Sequence, residues 1–448
     1  MSPVTLTYED GTIRVAGASD ASLPGVEADA RSGTGRAPAH RYRAIRDALR
    51  DRGRDVDDRV LDLPPLPPLE SGYTLREYQR EALDAWEANG RRGVLKLPTG
   101  SGKTVIALSA IAAAATPALV VVPTVDLLEQ WHRELSGTFD VPVGRLGGGE
   151  QTVEALTVAT YDSAYLRADE LGDRFGLLVF DEAHHLGGDG FRDIARLFAA
   201  PARLGLTATF ERPDGAHEAV AELVGSVVYD LDPDDLAGEH LADYEVRRIE
   251  VELTADERER YEEAQGTFVD YVRDAGIRFT SGSDYRELVK RSGNDPRARE
   301  ALLAKQRARE VMMNADAKLA ELAGILERHR GERVIVFTAH TALVYRLSDR
   351  FLIPAITAET GTEERREILS RFRDGTYSRV VAANVLDEGV DVPETSVGVI
   401  LSGSGSEREF TQRLGRILRP GTDGAKTATL YELVTNETAE ERVARRRR

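Results

Sequence analysis

The 448-residue chain contains no cysteine. Disulfides and cysteine-ligated metal centres are therefore excluded. Its eight histidines fall at no metal-ligand spacing; His184 and His185 are adjacent, unlike the i, i+4 pair of a zinc-binding helix. No apolar run approaches the length of about 18 residues that a membrane-spanning helix needs. The N-terminus shows no basic-plus-apolar leader, so a cytoplasmic location with no membrane partner is expected. Lysine is scarce: six of the 59 basic residues, against 76 acidic ones, for a net charge of −17. An acidic, lysine-poor chain suits a halophilic protein kept hydrated in concentrated salt, although a GC-rich genome also favours arginine over lysine. Net charge will not attract nucleic acid, so any such binding would rest on a local basic groove, stacking and hydrogen bonds. What the chain does have is 41% hydrophobic residues, enough to build cores for about two to four domains.

One stretch organises the rest: Leu97-Pro98-Thr99-Gly100-Ser101-Gly102-Lys103-Thr104. Val94 to Leu97 reads as a buried strand before it, and Val105 to Ala115 as an alanine-rich helix after it. A strand, a glycine turn and a helix opening on Lys-Thr is the layout of a phosphate-binding loop. Its glycines let backbone N–H groups curl around phosphate oxygens. Lys103 would reach the outer phosphates of ATP, and Thr104 would place its hydroxyl on Mg²⁺. Leu97 stands where the strict pattern has its first glycine.

Residues 1–70 form a small α+β unit. Val4–Tyr8 and Thr12–Val15 are strand-like around an Asp10-Gly11 turn, Ser32–Ala37 is expected to be loop, and Tyr42, Ile45 and Leu49 recur at helical spacing. Leu63 to Pro68 reads as a stiff extended linker. From residue 71 strands alternate with helices, implying a parallel sheet over about 71–240. Leu75, Tyr78 and Leu83 are expected to face the core of the first helix. Gln79 on it offers a donor and an acceptor to an adenine edge. Leu127, Leu128 and Trp131 form the apolar face of a later helix. Polar groups cluster after the buried strands: Pro123-Thr124, Thr160, Asp181-Glu182-Ala183-His184 and Thr207-Ala208-Thr209. Open α/β sheets bind ligands at such strand ends. Asp181 is the acidic partner of the phosphate loop, and Glu182 can orient or deprotonate an attacking water. His184 links that site to Thr207 and Thr209; His185 is read as an ordinary loop residue.

A second unit spans 241–448. Residues 255–313 are charged and helical, with Phe268, Tyr271, Val272 and Ala275 as one apolar stripe. This segment reads as an insertion whose arginines form either a solvated face or a DNA-gripping arm. The α/β rhythm then resumes at Val334–Phe337, Val380–Asn384 and Val397–Leu401. Gln412 to Pro420 sets Arg413, Arg416 and Arg419 on one helix face. This half has no phosphate loop. Arg416 and Arg419 would meet the γ-phosphoryl group of ATP held by the other half, as an arginine finger within one chain, and hydrolysis would become domain motion. The basic run Arg445–Arg448 reads as a tail.

In order along the chain, Gln79, the 97–104 loop, Asp181 to His184, Thr207 to Thr209, Asp387 to Asp391 and Gln412 to Arg419 resemble the motifs of superfamily 2 helicases. Leu204–Arg212, Val385–Val392, Gly403–Ser406 and Gln412–Pro420 are most similar to archaeal XPB. The resemblance implies two RecA-like parallel-sheet domains in tandem, with a small N-terminal damage-recognition domain and a helical thumb in the second lobe. It implies a DNA-dependent ATPase acting 3′ to 5′ on forked or damaged duplex DNA in nucleotide excision repair. It further implies a monomeric motor with a dedicated nuclease partner. Gly389 and Asp391 would border the nucleotide, Gln412 would couple it to DNA, and Pro123, Thr124, Thr160, Thr338, His340 and Asn384 would hold the DNA backbone. One departure stands out. The family's Arg-Glu-Asp strand-separating element aligns with Arg212-Pro213-Asp214, where proline stiffens the middle position. A duplex translocase that does not unwind, and a nucleotide-gated scaffold recruiting a nuclease, are the alternatives.

Overall fold

The computed structural model describes residues 3–17, 23–30, 32–98, 100–188, 190–208, 210, 215, 217–232, 244–277, 288–383, 395–401, 428–436 and 438. These fall into two compact units, residues 3–232 and residues 244–438, each described by itself.

The first unit begins with a sheet of β1 (Val4–Glu9), β2 (Thr12–Ala16), β3 (Glu27–Asp29), β4 (Thr34–Pro38) and β5 (Val56–Arg59), in the order β3-β4-β2-β1-β5. The β1–β2 hairpin turns on Asp10 and Gly11, both at positive φ (45° and 78°), as an Asp-Gly turn requires. Helix α1 (Tyr42–Asp51) buries Tyr42, Ile45 and Leu49, the spacing read from the sequence. The expected 32–37 loop is instead mostly strand β4, paired antiparallel with β2 and β3. A Cβ on Gly35 would lie 2.5 Å from Val26 Cγ1, so this glycine allows close packing rather than a turn. The Pro-rich stretch has neither helix nor strand, as a linker should, but Leu66 and Leu69 pack on the core of the following lobe. The small domain is seated on that lobe. Tyr8 Oη donates to the carbonyls of Asp169 (2.7 Å) and Leu197 (3.1 Å), Asp62 N–H donates to Asp173 O, and Ala199 belongs to the small domain's core.

The lobe itself is a sheet of β6 (Arg92–Lys96), β7 (Ala118–Val122), β8 (Val143–Gly147), β9 (Glu150–Gln151), β10 (Leu156–Thr160), β11 (Leu177–Asp181), β12 (Ala202–Thr207) and β13 (Val227–Asp230). Its order is β13-β6-β12-β11-β7-β10-β8-β9, parallel except at the β8–β9 edge. Helices α2 (Glu77–Ala88), α3 (Lys103–Ala114), α4 (Val125–Thr138), α5 (Tyr161–Leu166), α6 (Ala168–Leu171), α7 (Arg192–Leu197) and α8 (His217–Leu223) complete it. Strands β7, β10, β11 and β12 are buried along their whole length because apolar cores lie on both faces. Helix α2 faces the core with Tyr78, Ala82 and Trp86, while Leu75 precedes the helix and Leu83 packs only partly. One charge is fully buried: Arg203 of β12 donates to the carbonyls of Ala195, Phe198, Ala200 and Leu223. Its guanidinium thereby ties β12 to α7 and α8.

The second unit holds β14 (Tyr244–Val251), β15 (Val334–Phe337), β16 (Ala355–Ile356), β17 (Arg379–Ala382), β18 (Val397–Ile400) and β19 (Ala428–Thr435). They form a parallel sheet in the order β14-β19-β18-β15-β17-β16. Helices α9 (Ala255–Asp274) and α10 (Pro296–Met313) pack on each other as the insertion. Thr254 and Glu257 cap α9 reciprocally, and Asp295 with Pro296 opens α10. Phe268 and Tyr271 are buried with Leu288, Ala298 and Ala301, as the apolar stripe predicts. Helices α11 (Asp316–Arg328), α12 (Thr341–Phe351) and α13 (Thr362–Arg373) follow.

Candidate nucleotide site

Strand register builds the site. Lys96 of β6 pairs with Thr207 of β12, and Leu206 pairs with Asp181 of β11. β11 neighbours β7, and β7 neighbours β10. All run parallel, so the phosphate loop, Thr207, Asp181, Thr124 and Thr160 follow five consecutive strands at one edge. Leu97 N–H donates to Thr207 O at 2.9 Å and fixes the loop's entry.

The loop turns through Gly100 and Gly102, both left-handed (φ 85° and 80°), where only glycine is free of strain. A Cβ on Gly102 would also lie 2.5 Å from Gln79 Nε2. Gln79 is buried: its Nε2 donates to Ser101 O at 3.0 Å, and its Oε1 accepts the Arg76 N–H. The amide expected to read adenine thus braces the loop as well. Tyr78, which the sequence placed in the core, does the same with its hydroxyl on Ser101 O at 2.6 Å. Ser101 Oγ closes on Pro98 O, and Lys103 Nζ lies 3.1 Å from Leu97 O and 3.2 Å from Pro98 O. Thr104 is the second residue of α3, within its first turn. Helix N–H groups and the dipole there favour an anion.

Asp181 ends β11. Its Oδ1 accepts the Glu182 N–H (3.0 Å), and its Oδ2 accepts the indole N–H of Trp131 (2.8 Å). Burial and the Glu182 carboxylate push its carboxyl up to about 6, against the pull of Trp131, Lys103 and the Glu182 N–H. Glu182 is the non-glycine residue at φ 48°, ψ 54° that follows the strand. That conformation costs of order 1 kcal/mol or more and marks functional positions. Its Oε2 is buried and accepts no hydrogen bond, lying 3.5 Å from His184 Nδ1. His184 Nδ1 also meets Thr207 Oγ1 at 3.1 Å, with both groups buried. The polar link read from the sequence is therefore present as far as Thr207. The His185 ring lies tilted against His184 (centroids 4.4 Å apart) and Tyr161 (5.9 Å).

Among the described residues no cluster of three His, Cys, Asp or Glu side chains makes a protein-only metal cage. The hard oxygen donors of Thr104 and Asp181 fit Mg²⁺, which is usually held by one or two carboxylates together with substrate phosphates. The unpartnered Glu182 oxygen fits a water beside them.

The residues expected at the nucleic-acid face are placed at strand ends. Thr124 caps α4 by accepting the Leu127 N–H, and Thr160 caps α5 by accepting the Ser163 N–H. Pro123 is half-buried beside Thr124. In the second unit Thr338 is buried and accepts the His340 N–H, and His340 Nε2 lies 3.0 Å from Met313 Sδ. Lys318, which the sequence did not single out, is buried with Nζ 2.6 Å from Leu401 O. Thr99, Thr209, Arg212, Asp214, Asn384, Gly389, Asp391, Gln412, Arg416 and Arg419 lie outside the described residues, as does the 445–448 run.

A parallel sheet carrying a phosphate loop, an Asp-Glu pair and a threonine relay at consecutive strand ends defines a P-loop ATPase of the helicase class. The structure is similar to the Pyrococcus furiosus Hef helicase domain (TM-score 0.54, 19% identity, 84% of this chain and 98% of that one), a likeness of fold. Family models match residues 6–60 (XPB helicase damage recognition domain), 72–212 (type III restriction enzyme res subunit) and 317–421 (helicase conserved C-terminal domain). The DNA 3′-5′ translocase XPB2 of Sulfurisphaera tokodaii is 43% identical over 99% of this chain and 100% of its own length. A putative DNA 3′-5′ helicase Rad25 of Halobacterium salinarum is 30% identical over 98% of this chain and 69% of its own. The Mycobacterium tuberculosis DNA 3′-5′ helicase XPB is 30% identical over 86% and 64%. The chain belongs to the XPB family.

Proposed function

We propose that this chain is an ATP-driven, Mg²⁺-dependent motor that moves 3′ to 5′ on DNA and opens damaged or forked duplexes in excision repair. The observation that carries the reading is the half-buried Lys103 in one row with the buried Asp181, Glu182, His184 and Thr207 on adjoining strand ends. Thr104 and Asp181 would hold Mg²⁺, which would neutralise negative charge on the phosphates. Lys103 leaves the loop carbonyls for phosphate oxygens. Glu182 takes a proton from the attacking water through Oε2, and His184, hydrogen-bonded to Thr207, stands beside that oxygen at 3.5 Å. Arg416 and Arg419 stabilise charge on the transferring group. Thr99 and the loop N–H groups cradle phosphates, Gln79, Gly389 and Asp391 border the nucleotide, and Thr209 and Gln412 extend the relay. Pro123, Thr124, Thr160, Thr338, His340 and Asn384 grip the strand backbone without reading sequence. The test is ATP turnover on single-stranded, duplex and forked DNA across a salt series. The reading expects stimulation by DNA; a rate indifferent to DNA would favour the nuclease-recruiting scaffold.

A second reading is translocation along duplex DNA without unwinding. It is favoured by Pro213 between Arg212 and Asp214, and by the relative of matching length that bears the name translocase. Strand displacement assayed beside triplex displacement separates the two. The reading extends to a monomer in the cytoplasm of a halophile, working with a nuclease. The −17 net charge supports the halophile part.

A further inference from the structure

Asp181 is gripped from both faces of its sheet by aromatic residues that no motif reading singles out. Trp131, the seventh residue of α4, belongs to one core with Leu128, Leu135 and Ile106. Its Nε1–H reaches across to Asp181 Oδ2 at 2.8 Å. Tyr161, the first residue of α5, belongs to the opposite core with Phe180 and Ala183. Its Oη donates to the Asp181 backbone carbonyl at 3.2 Å. Trp131 and Tyr161 are 1% and 2% exposed, so each polar group has been taken from water for this purpose.

The helices supplying these two groups start at Thr124 and Thr160, the neighbouring strand ends assigned above to the DNA backbone. A helix moves as a rigid body, so a shift at either cap is carried to the aromatic side chain, and from it to the Asp181 carboxylate through Trp131 or to its backbone carbonyl through Tyr161. We propose that Trp131, with Tyr161 as its counterpart, is a positioning residue that sets Asp181 according to whether DNA is held at Thr124 and Thr160. Neither residue touches the reacting atoms. This inference rests on the DNA reading of Thr124 and Thr160.

The chain has only two tryptophans, Trp86 and Trp131, so ¹⁵N-labelled indole gives two resonances, assigned by Trp131→Phe. That variant keeps an aromatic ring in the core and deletes the N–H. The Trp131 resonance should move on adding Mg²⁺ with ADP and, separately, on adding duplex DNA without nucleotide. Trp131→Phe should lose about tenfold in DNA-stimulated kcat, with KM for ATP within about twofold and DNA affinity unchanged; a charge-assisted hydrogen bond sets that scale. Tyr161→Phe should show a smaller loss of the same kind. A wild-type kcat in Trp131→Phe, or an indole resonance blind to bound DNA, overturns the proposal. Should Trp131→Phe fail to fold, Trp86→Phe assigns the two resonances instead and the wild-type Trp131 resonance still decides. Should wild type bind no DNA by anisotropy, the DNA reading fails instead, and the coupling falls with it, whatever Mg²⁺ and ADP do to the resonance.

Discussion

Glu182 carries the sharpest residue-scale statement. A carboxylate oxygen left without a donor inside a protein is costly unless a reactant uses it. Glu182→Gln should retain ATP binding while turnover falls about a thousandfold, within the range for loss of a general base; rapid turnover by the variant would remove the assignment. Asp181 gives the pH dependence. Its carboxyl titrates above the usual range, at about 6 in the free protein, so it gains a proton as pH falls through that value, and the Mg²⁺ proposed to bind there would have to displace it. The kcat/KM profile should therefore lose activity on its acid side below about pH 6 with a slope of one. The kcat profile, which reports the loaded state, should hold to lower pH. Coincident acid limbs would contradict the metal role. The strand-end carboxylates and the His184–Thr207 link were legible in the sequence, because an acidic pair after an apolar run has few other uses. Trp131 and Tyr161 were not: one lies on a helix's apolar face and the other ends what reads as an apolar strand, so both look like core, and an indole N–H shows its partner only when the fold supplies one.

Elements were legible where apolar residues ran unbroken. Strands β15 and β18 fall within a residue of their expected bounds because buried parallel strands have no competing pattern. Strand β4 was hidden by Gly35 and Ser32, whose usual meaning is a turn. Strand β8 was hidden by Gly144, where a Cβ would lie 2.7 Å from Glu154 N. The element-scale prediction concerns the seating of the small domain. Tyr8→Phe removes one hydroxyl that bonds Asp169 O and Leu197 O. It should cost about 1 kcal/mol and lower the melting midpoint of the first unit by roughly 2–4 °C. Arg203→Met is the contrasting case. It strips four buried carbonyls of their donor and should destabilise by at least about 3 kcal/mol. Equal melting curves for both variants and wild type would show that these contacts do not hold the small domain and β12 in place.

At the scale of the whole molecule, the sequence announced two α/β halves, only one of them with a phosphate loop, and both sheets are present. Arg416 and Arg419, proposed to act on the nucleotide, are read from sequence alone. The charge balance belongs to this scale too. Ion pairs such as Arg36–Glu9, Arg145–Glu129 and Arg248–Glu432 use arginine, beside the lysine pair Lys96–Asp230. With a net charge of −17, self-repulsion is relieved by salt, so DNA-stimulated turnover should survive molar KCl. Loss of activity there would remove the halophile reading. The account as a whole depends on one nucleotide being worked from two directions. Steady-state ATP turnover on saturating duplex DNA, compared among wild type, Lys103→Ala and Arg416→Ala, tests this most directly. The expected result is a DNA-stimulated wild-type rate, no measurable turnover in Lys103→Ala, and a fall of about a thousandfold or more in Arg416→Ala. Wild-type turnover in either variant would contradict it.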